Sequence, residues 1–156
     1  MFNLLFIFGA KYLFIFSILI SGIYFLKQSW PLKKKIAIFG ITSIVLMYST
    51  ALVVGHIYNN PRPFVVEHFI PLIPHTPDNG FPSDHVLLVS AIAAIILFFS
   101  RRIGALLWLI TILVAISRVY VGVHHSVDVI ASMIIALVVS YIVSVIVRKL
   151  DLNKNT

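Results

Sequence analysis

Five apolar runs, at residues 3–26, 36–58, 85–100, 103–122 and 127–147, take up most of this 156-residue chain. A helix needs about 20 apolar residues to cross a bilayer, and four of the runs reach that length. Inside hydrocarbon every backbone N–H and C=O must be satisfied within the segment itself, so runs of this kind become helices. The expected fold is therefore all-α, a polytopic membrane helical bundle of about five transmembrane helices. It forms a single integral membrane domain over residues 1–156. Hydrophobic residues make up 60% of the chain, against near half in an ordinary soluble domain. The first run has no basic stretch before it and is too long for a typical signal-peptide core, so it reads as a retained helix. With no cysteine, disulfide and thiol chemistry are excluded.

The net charge of +7 does not point to nucleic acid once its placement is read. Lys27, Lys33, Lys34 and Lys35 lie between the first two runs, and Arg101 and Arg102 between the third and fourth. Arg148, Lys149 and Lys154 follow the fifth. In a five-span arrangement all nine fall on one side, which the positive-inside rule makes cytoplasmic. The N-terminus is then outside and the C-terminus inside. All six histidines, with Glu67, Asp78, Asp84 and Asp128, fall at or near the opposite, outer face. Lys11 lies inside the first span. It either snorkels toward the headgroups or serves the polar cluster outside.

Three polar stretches punctuate the outer face: "NNPRPF" at 59–64, "FPSDH" at 81–85 and "SRVYVGVHHSVD" at 117–128. Ser83 follows a Pro- and Asp-rich loop and suits a helix N-cap. His85 stands sixteen residues before Arg101, and Arg118 sixteen after Arg102. A tight inner turn therefore brings His85 and Arg118 to equal depth on antiparallel helices. Each arm is only about 24 Å long at helical rise, against about 30 Å of hydrocarbon, so either the polar cluster sits slightly below the outer surface or the bilayer thins there. Gly122 marks an outer turn, after which a helix begins near 124–126. His124 and Asp128, at i and i+4, share one face of it. That spacing is an ordinary helix stabiliser, but ionisable groups at membrane depth are functional by default. Pro61 and Pro63 fix the backbone on both sides of Arg62, making either a rigid turn with a snorkelling arginine or a guanidinium aimed at an oxyanion.

Taken together, Arg62-Pro63, Pro82-Ser83-Asp84-His85 and Ser117-Arg118 followed by His124 and Asp128 resemble the signature of the type-2 phosphatidic acid phosphatase superfamily. Within it, "PRPF", "LIPHTPDNGFPSDH" and "SRVYVGVHHSVDVIAS" are similar to the bacterial undecaprenyl-diphosphate phosphatases of the bacitracin-resistance type. The resemblance spans residues 55–132. Two positions depart from the wider superfamily. Gly55 stands where a lysine is usual, and Asp84 where a glycine is usual. Both departures match the bacitracin-resistance branch. Spacing makes His124 the matching histidine and leaves His125 as an interfacial neighbour.

The resemblance implies a metal-independent lipid (di)phosphate phosphatase that needs no cofactor and forms a phosphohistidine intermediate. His124 is the implied nucleophile, Asp128 orients its ring, and His85 is the general acid. Arg62, Arg118 and Ser83 bind phosphate. Asp84 caps the helix, pairs with an arginine or tunes His85. Lys11 is a candidate for the cation missing at Gly55. The implied substrate is undecaprenyl diphosphate in a cell membrane, attacked at the outer face. Its dephosphorylation recycles the cell-wall lipid carrier and gives bacitracin resistance. Other lipid phosphates, such as phosphatidylglycerophosphate and phosphatidate, fit the same residues. Two readings of other classes are a metal site built on His124 and Asp128 and a non-catalytic membrane transport protein. The expected partners are the polyprenyl diphosphate and membrane lipids, with no nucleic acid. Oligomeric state is not legible.

Overall fold

The structure, a computed structural model, describes residues 2–153. Lys154 of the basic set lies outside the described residues. The chain folds into helices α1 (Phe2–Leu26), α2 (Trp30–Ile57), α3 (Pro63–Val66), α4 (Asp84–Phe99), α5 (Arg101–Tyr120) and α6 (Ser126–Asn153). The polytopic helical bundle expected from the sequence is what forms. Helices α1, α2, α5 and α6 are long and apolar enough to cross a membrane, and the chain is a multi-pass membrane protein. Of the five expected spans, α4 is the short one. Its 16 residues give about 24 Å at helical rise.

The apolar runs located the helices but not their ends. Helix α2 begins six residues before its apolar run, with Pro31 in its first turn. That position suits proline because its missing N–H would have no partner there. Helix α6 continues beyond 147 through Arg148 and Lys149. Hydropathy marks where side chains leave the hydrocarbon, whereas the backbone ladder continues into the polar flank. Between α4 and α5 the expected Arg101-Arg102 turn is instead the single residue Ser100, extended at φ −147° and ψ 107°. Arg101 already belongs to α5. The four residues of α3, read from the sequence only as a stop, form one turn with Arg62 as N-cap.

Helix α4 is the centre of the bundle. Leu87, Ala91 and Ile95 pack with Met47 and Ala51 of α2 and with Ala136, Val139 and Val143 of α6. Its other face, Val86, Val89, Ala93 and Ile96, meets Leu107, Ile110 and Val114 of α5, backed by Leu13 and Phe14 of α1. Small residues on α4 permit this close approach from all sides, the packing mode favoured where no hydrophobic force separates lipid from protein. The outward faces are apolar as well. Ile38, Ile41, Val45 and Leu52 are exposed on α2, and Leu106, Leu109, Leu113 and Ile116 on α5. A helix apolar on every side belongs in hydrocarbon.

Antiparallel packing gathers one end of every long helix together. At one end lie the basic groups, with Lys34 over the Trp30 ring and Arg148 over the Phe98 ring. At the other end the loop 58–83, the N-terminus of α4 and the α5–α6 turn converge. Ala10, Ile73, Val121 and Val123 pack there as a small third cluster. It joins the loop and the turn to α1, and Leu72 N–H donates to the Val121 carbonyl across 3.0 Å.

Candidate active site

The polar site lies at this second end, and its parts come from four places in the chain. The α5–α6 turn depends on Gly122, whose φ of +81° is a left-handed conformation that costs a glycine little. A β-carbon there would also run into the Phe69 ring. The turn leaves His124 just before α6, nearly fully buried at 2% exposure. Asp128, one helical turn later, is fully buried. Its Oδ2 stands 3.5 Å from His124 Nδ1, as the i,i+4 spacing predicts. The same Nδ1 stands 3.0 Å from the Gly80 carbonyl oxygen. A carboxylate and a carbonyl both accept, so Nδ1 carries the proton and the Nε2 lone pair is free.

That lone pair faces two guanidinium groups. Arg62 Nη1 and Arg118 Nη2 each stand 3.3 Å from His124 Nε2. Arg62 is held from three sides. It caps α3 between two prolines, its Nε donates to Asp78 Oδ1 at 2.6 Å, and its Nη1 donates to the Val123 carbonyl at 2.8 Å. Arg118 is buried at 3% exposure and has no carboxylate partner within salt-bridge distance among the described residues. Its Nη2 also stands 3.1 Å from His75 Nε2, while its Nε has no acceptor among the described residues. A buried cation with an open donor is ready for an anion.

Ser83 is the N-cap of α4, as its sequence context predicts, but its hydroxyl makes no capping bond. It is fully buried, and its Oγ has no partner among the described residues. The Ser83 backbone is tied to α6 instead, with its N–H on the Asp128 carbonyl at 3.3 Å and its carbonyl accepting from Ser132 Oγ at 2.9 Å. A buried, unbonded hydroxyl costs free energy unless a ligand completes it. His85 begins α4 half-buried, edge-on to Phe14 with ring centroids 5.5 Å apart. It lies within electrostatic reach of Arg118, His124, His75 and Arg62.

The surroundings lower the pKa of two site imidazoles, His124 and His75. Burial lowers the pKa of His124 first. Asp128 opposes this through its hydrogen bond, and Arg118 and Arg62 lower it further, so the net shift is downward. His75 is lowered by burial and then by Arg62 and Arg118. Burial pushes the Asp78 carboxyl up, but hydrogen bonds from Arg62 and Thr76 outweigh it and hold it below the usual carboxylate range.

Two sequence candidates stand elsewhere. Asp84 is exposed and lines a separate depression with Tyr48, His56 and Pro82, with no arginine in salt-bridge range among the described residues. Its neighbours in that depression come from α2 and the loop before α4. Lys11 is exposed on α1 and forms no ion pair among the described residues. Three groups that sequence reasoning did not single out belong to the site. Asn60 Nδ2 donates to Asp128 Oδ1 at 2.7 Å, Asp78 braces Arg62, and His75 meets Arg118. Asn60 and Asp78 were visible as polar residues beside the motifs, but nothing local says what they touch. His125 turns outward, its Nε2 3.1 Å from the Pro61 carbonyl. At Gly55, where the superfamily's lysine is missing, a β-carbon would stand 3.0 Å from the Phe81 carbonyl oxygen, so the backbone itself occupies that approach. Among the described residues no three histidine or carboxylate side chains converge as a metal-ligand set.

This arrangement can hold a phosphoryl group between two guanidinium groups and a serine hydroxyl, with an imidazole lone pair aimed into it. The chain matches known proteins in the same region. The PAP2 superfamily profile matches residues 34–151. Undecaprenyl-diphosphatase BcrC of Bacillus subtilis is 40% identical over 103 residues, covering 66% of this chain and 51% of that protein. The bacitracin transport permease protein BcrC of Bacillus licheniformis is 31% identical over 125 residues, covering 80% of this chain and 61% of that protein. The chain thus spans between half and about six-tenths of the length of these relatives. The crystal structure of Aquifex aeolicus LpxE superposes with a TM-score of 0.64 at 24% identity, covering 89% of this chain and 92% of that one, so the two share a fold.

Proposed function

The chain belongs to the PAP2 superfamily, and on that footing we propose that it dephosphorylates undecaprenyl diphosphate to undecaprenyl phosphate at the outer face of a cell membrane. The observation that carries the reading is the His124 Nε2 lone pair, 3.3 Å from both Arg62 and Arg118. His124 Nε2 attacks the terminal phosphorus and forms a P–N bond as the bridging P–O bond breaks. The electron pair leaves with the lipid monophosphate, and His85 supplies its proton. Arg62, Arg118 and Ser83 stabilise the charge that develops on the equatorial oxygens. Asp128 holds the ring and its Nδ1 proton in place, the orienting role of a triad acid. Water then gives its proton to His85 and its oxygen to phosphorus. Inorganic phosphate leaves and His124 is restored.

Three features support the lipid and the side of the membrane. The site residues His85 and Arg118 stand at the ends of the apolar helices α4 and α5. An apolar groove of about 420 Å³ runs between α5 and α6, lined by Ile112, Ile116, Val119, Val129 and Met133, with Ser126 among its walls. It offers a course for a long hydrocarbon chain. Lys27, Lys33, Lys34, Lys35, Arg101, Arg102, Arg148 and Lys149 fall at the helix ends remote from the site, which supports an outer site under the positive-inside rule. An outer-face enzyme would return the spent carrier of cell-wall synthesis to use, and would deprive bacitracin of the diphosphate it binds.

The test is phosphate release by purified protein, in chelator, from undecaprenyl diphosphate, phosphatidylglycerophosphate and phosphatidate. The diphosphate should turn over fastest, and terminally labelled substrate should transiently label His124. Faster hydrolysis of phosphatidate would move the assignment to another lipid phosphate. No release from any of them by folded protein would favour the transport reading.

A further inference from the structure

We propose that His75 is a substrate-binding residue for the second, lipid-proximal phosphate, and that it sets the preference for a diphosphate over a monophosphate. This rests on the phosphatase reading above and adds to it. The site holds more positive and donor capacity than one phosphoryl group requires. Arg62 already has Asp78 and Val123 as partners, but Arg118 bonds only imidazole nitrogens among the described residues. Its Nη2 lies between two rings. On one side is His124, at 3.3 Å. On the other is His75, at 3.1 Å. The ring centroids stand 6.1 Å apart, with the planes inclined at 75°.

The two rings differ in exposure. His124 is buried at the floor. His75 is half-buried, on the loop that forms the rim. A diphosphate whose terminal phosphorus meets His124 must run its other phosphate away from the attacking nitrogen, because displacement is in line. Toward the rim, the same guanidinium of Arg118 meets His75 at 3.1 Å. A monophosphate ends before it.

The hydrogen bonding of His75 suits this role. A guanidinium only donates, so Nε2 accepts from Arg118 and the proton sits on Nδ1. Nδ1 has only a long, 3.4 Å contact to the adjacent Thr76 carbonyl. That N–H can turn to a phosphate oxygen at little cost. His75 is also packed less firmly than His124, Arg62 and Arg118. Thr76, Pro77 and Asp78 beside it are exposed, and the ring has no carboxylate partner among the described residues.

The experiment compares farnesyl diphosphate with farnesyl phosphate, which share one tail, on wild type, His75→Ala and His75→Gln. The readout is the ratio of kcat/KM for the two substrates. In His75→Ala the ratio should fall about tenfold or more, the effect of removing one hydrogen bond to a charged group. Glutamine keeps an N–H donor and should restore part of it. If His75→Ala lowers both substrates equally, His75 merely braces Arg118 and the proposal is overturned. An unchanged ratio with unchanged rates overturns it as well. If wild type hydrolyses neither, the same ratio is measured with undecaprenyl diphosphate and undecaprenyl phosphate, and no release from any of the four overturns the phosphatase reading and this one with it. If His75→Ala does not fold, the ratio in His75→Gln decides, because full loss of discrimination there contradicts a role for the N–H.

Discussion

Arg118 Nη2 stands 3.3 Å from His124 Nε2, with a donor that cannot be deprotonated aimed at a ring nitrogen. Such a pair is stable only with Nε2 unprotonated, so one contact fixes the tautomer and leaves the nucleophilic lone pair exposed to the anion site. Arg62 makes the same contact from the other side.

This sets the pH dependence. His124 is faced by Arg62, Arg118, Asp128, His75 and His85, and the net effect lowers its pKa. The acid limb of kcat/KM reports the free enzyme's essential base. It should therefore fall below the ordinary histidine value of about 6.5. Asp128 opposes the shift, so Asp128→Asn should move the limb to still lower pH while reducing the rate. Arg118→Met should move it up. A wild-type limb at or above the ordinary value would contradict the neutral, lone-pair-out imidazole.

His124 and His125 adjoin in sequence, but only one faces the arginines. His124→Ala should abolish turnover with membrane insertion and melting temperature retained. The His125 side chain bonds the Pro61 carbonyl, and only its backbone N–H reaches Asp128, so His125→Ala should keep most of the activity. Reversed results in steady-state assays would shift the nucleophile by one residue.

The guanidinium forks should not be replaceable by point charges. Arg118→Lys and Arg62→Lys should each lose about 2.7–4 kcal/mol of transition-state stabilisation, as removal of one positioned donor typically does, because an ammonium lacks the planar pair of donors. Asp78→Asn should cost less, since Asp78 is exposed and Arg62 keeps its bond to Val123. Near-normal kcat/KM for Arg118→Lys would remove the clamp from the mechanism.

Gly80 should tolerate nothing larger. A β-carbon there would stand 3.1 Å from Asp128 Oδ2 and 3.2 Å from the Asn60 carbonyl. Asp128 cannot yield, because Asn60 Nδ2 and the His125 N–H hold its two oxygens. Gly80→Ala should destabilise by about 1–3 kcal/mol, the usual cost of overpacking, and lower kcat. At Gly22 the same change meets nothing within 4 Å and serves as the control. Equal melting temperatures for the two variants would count against this account.

The site's orientation is open to labelling in intact cells. A cysteine at Glu67, exposed at the end of α3, should react with an impermeant thiol reagent, and one at Lys34 should not. Asn79 is a poor place for the reporter, because its side chain bonds Asn60 N, Phe81 N and the Gly55 carbonyl and knits the loop together. The opposite labelling pattern would put the site on the cytoplasmic face.

Membrane burial, helix order and the motif-bearing ends were legible in the sequence because each depends on local properties. Apolar length makes a span, one-sided lysines and arginines order the ends, and i,i+4 spacing put His124 over Asp128. Ser83, Arg62 and Arg118 were found through motifs whose spacing is also local. Tertiary packing alone decided which distant groups meet. Asn60 reaches Asp128 across 68 residues, and His75 reaches Arg118 across 43, by way of a loop without regular hydropathy. The same packing set Asp84 in a depression beside Tyr48 and His56 and left Lys11 exposed. A side chain's direction on an assembled helix depends on the rotation of that helix about its axis. That rotation is set by the fit of Leu87, Ala91 and Ile95 on one face of α4 and Val86, Val89 and Ala93 on the other. Both faces are apolar, so hydropathy alone could not say which would turn toward the site.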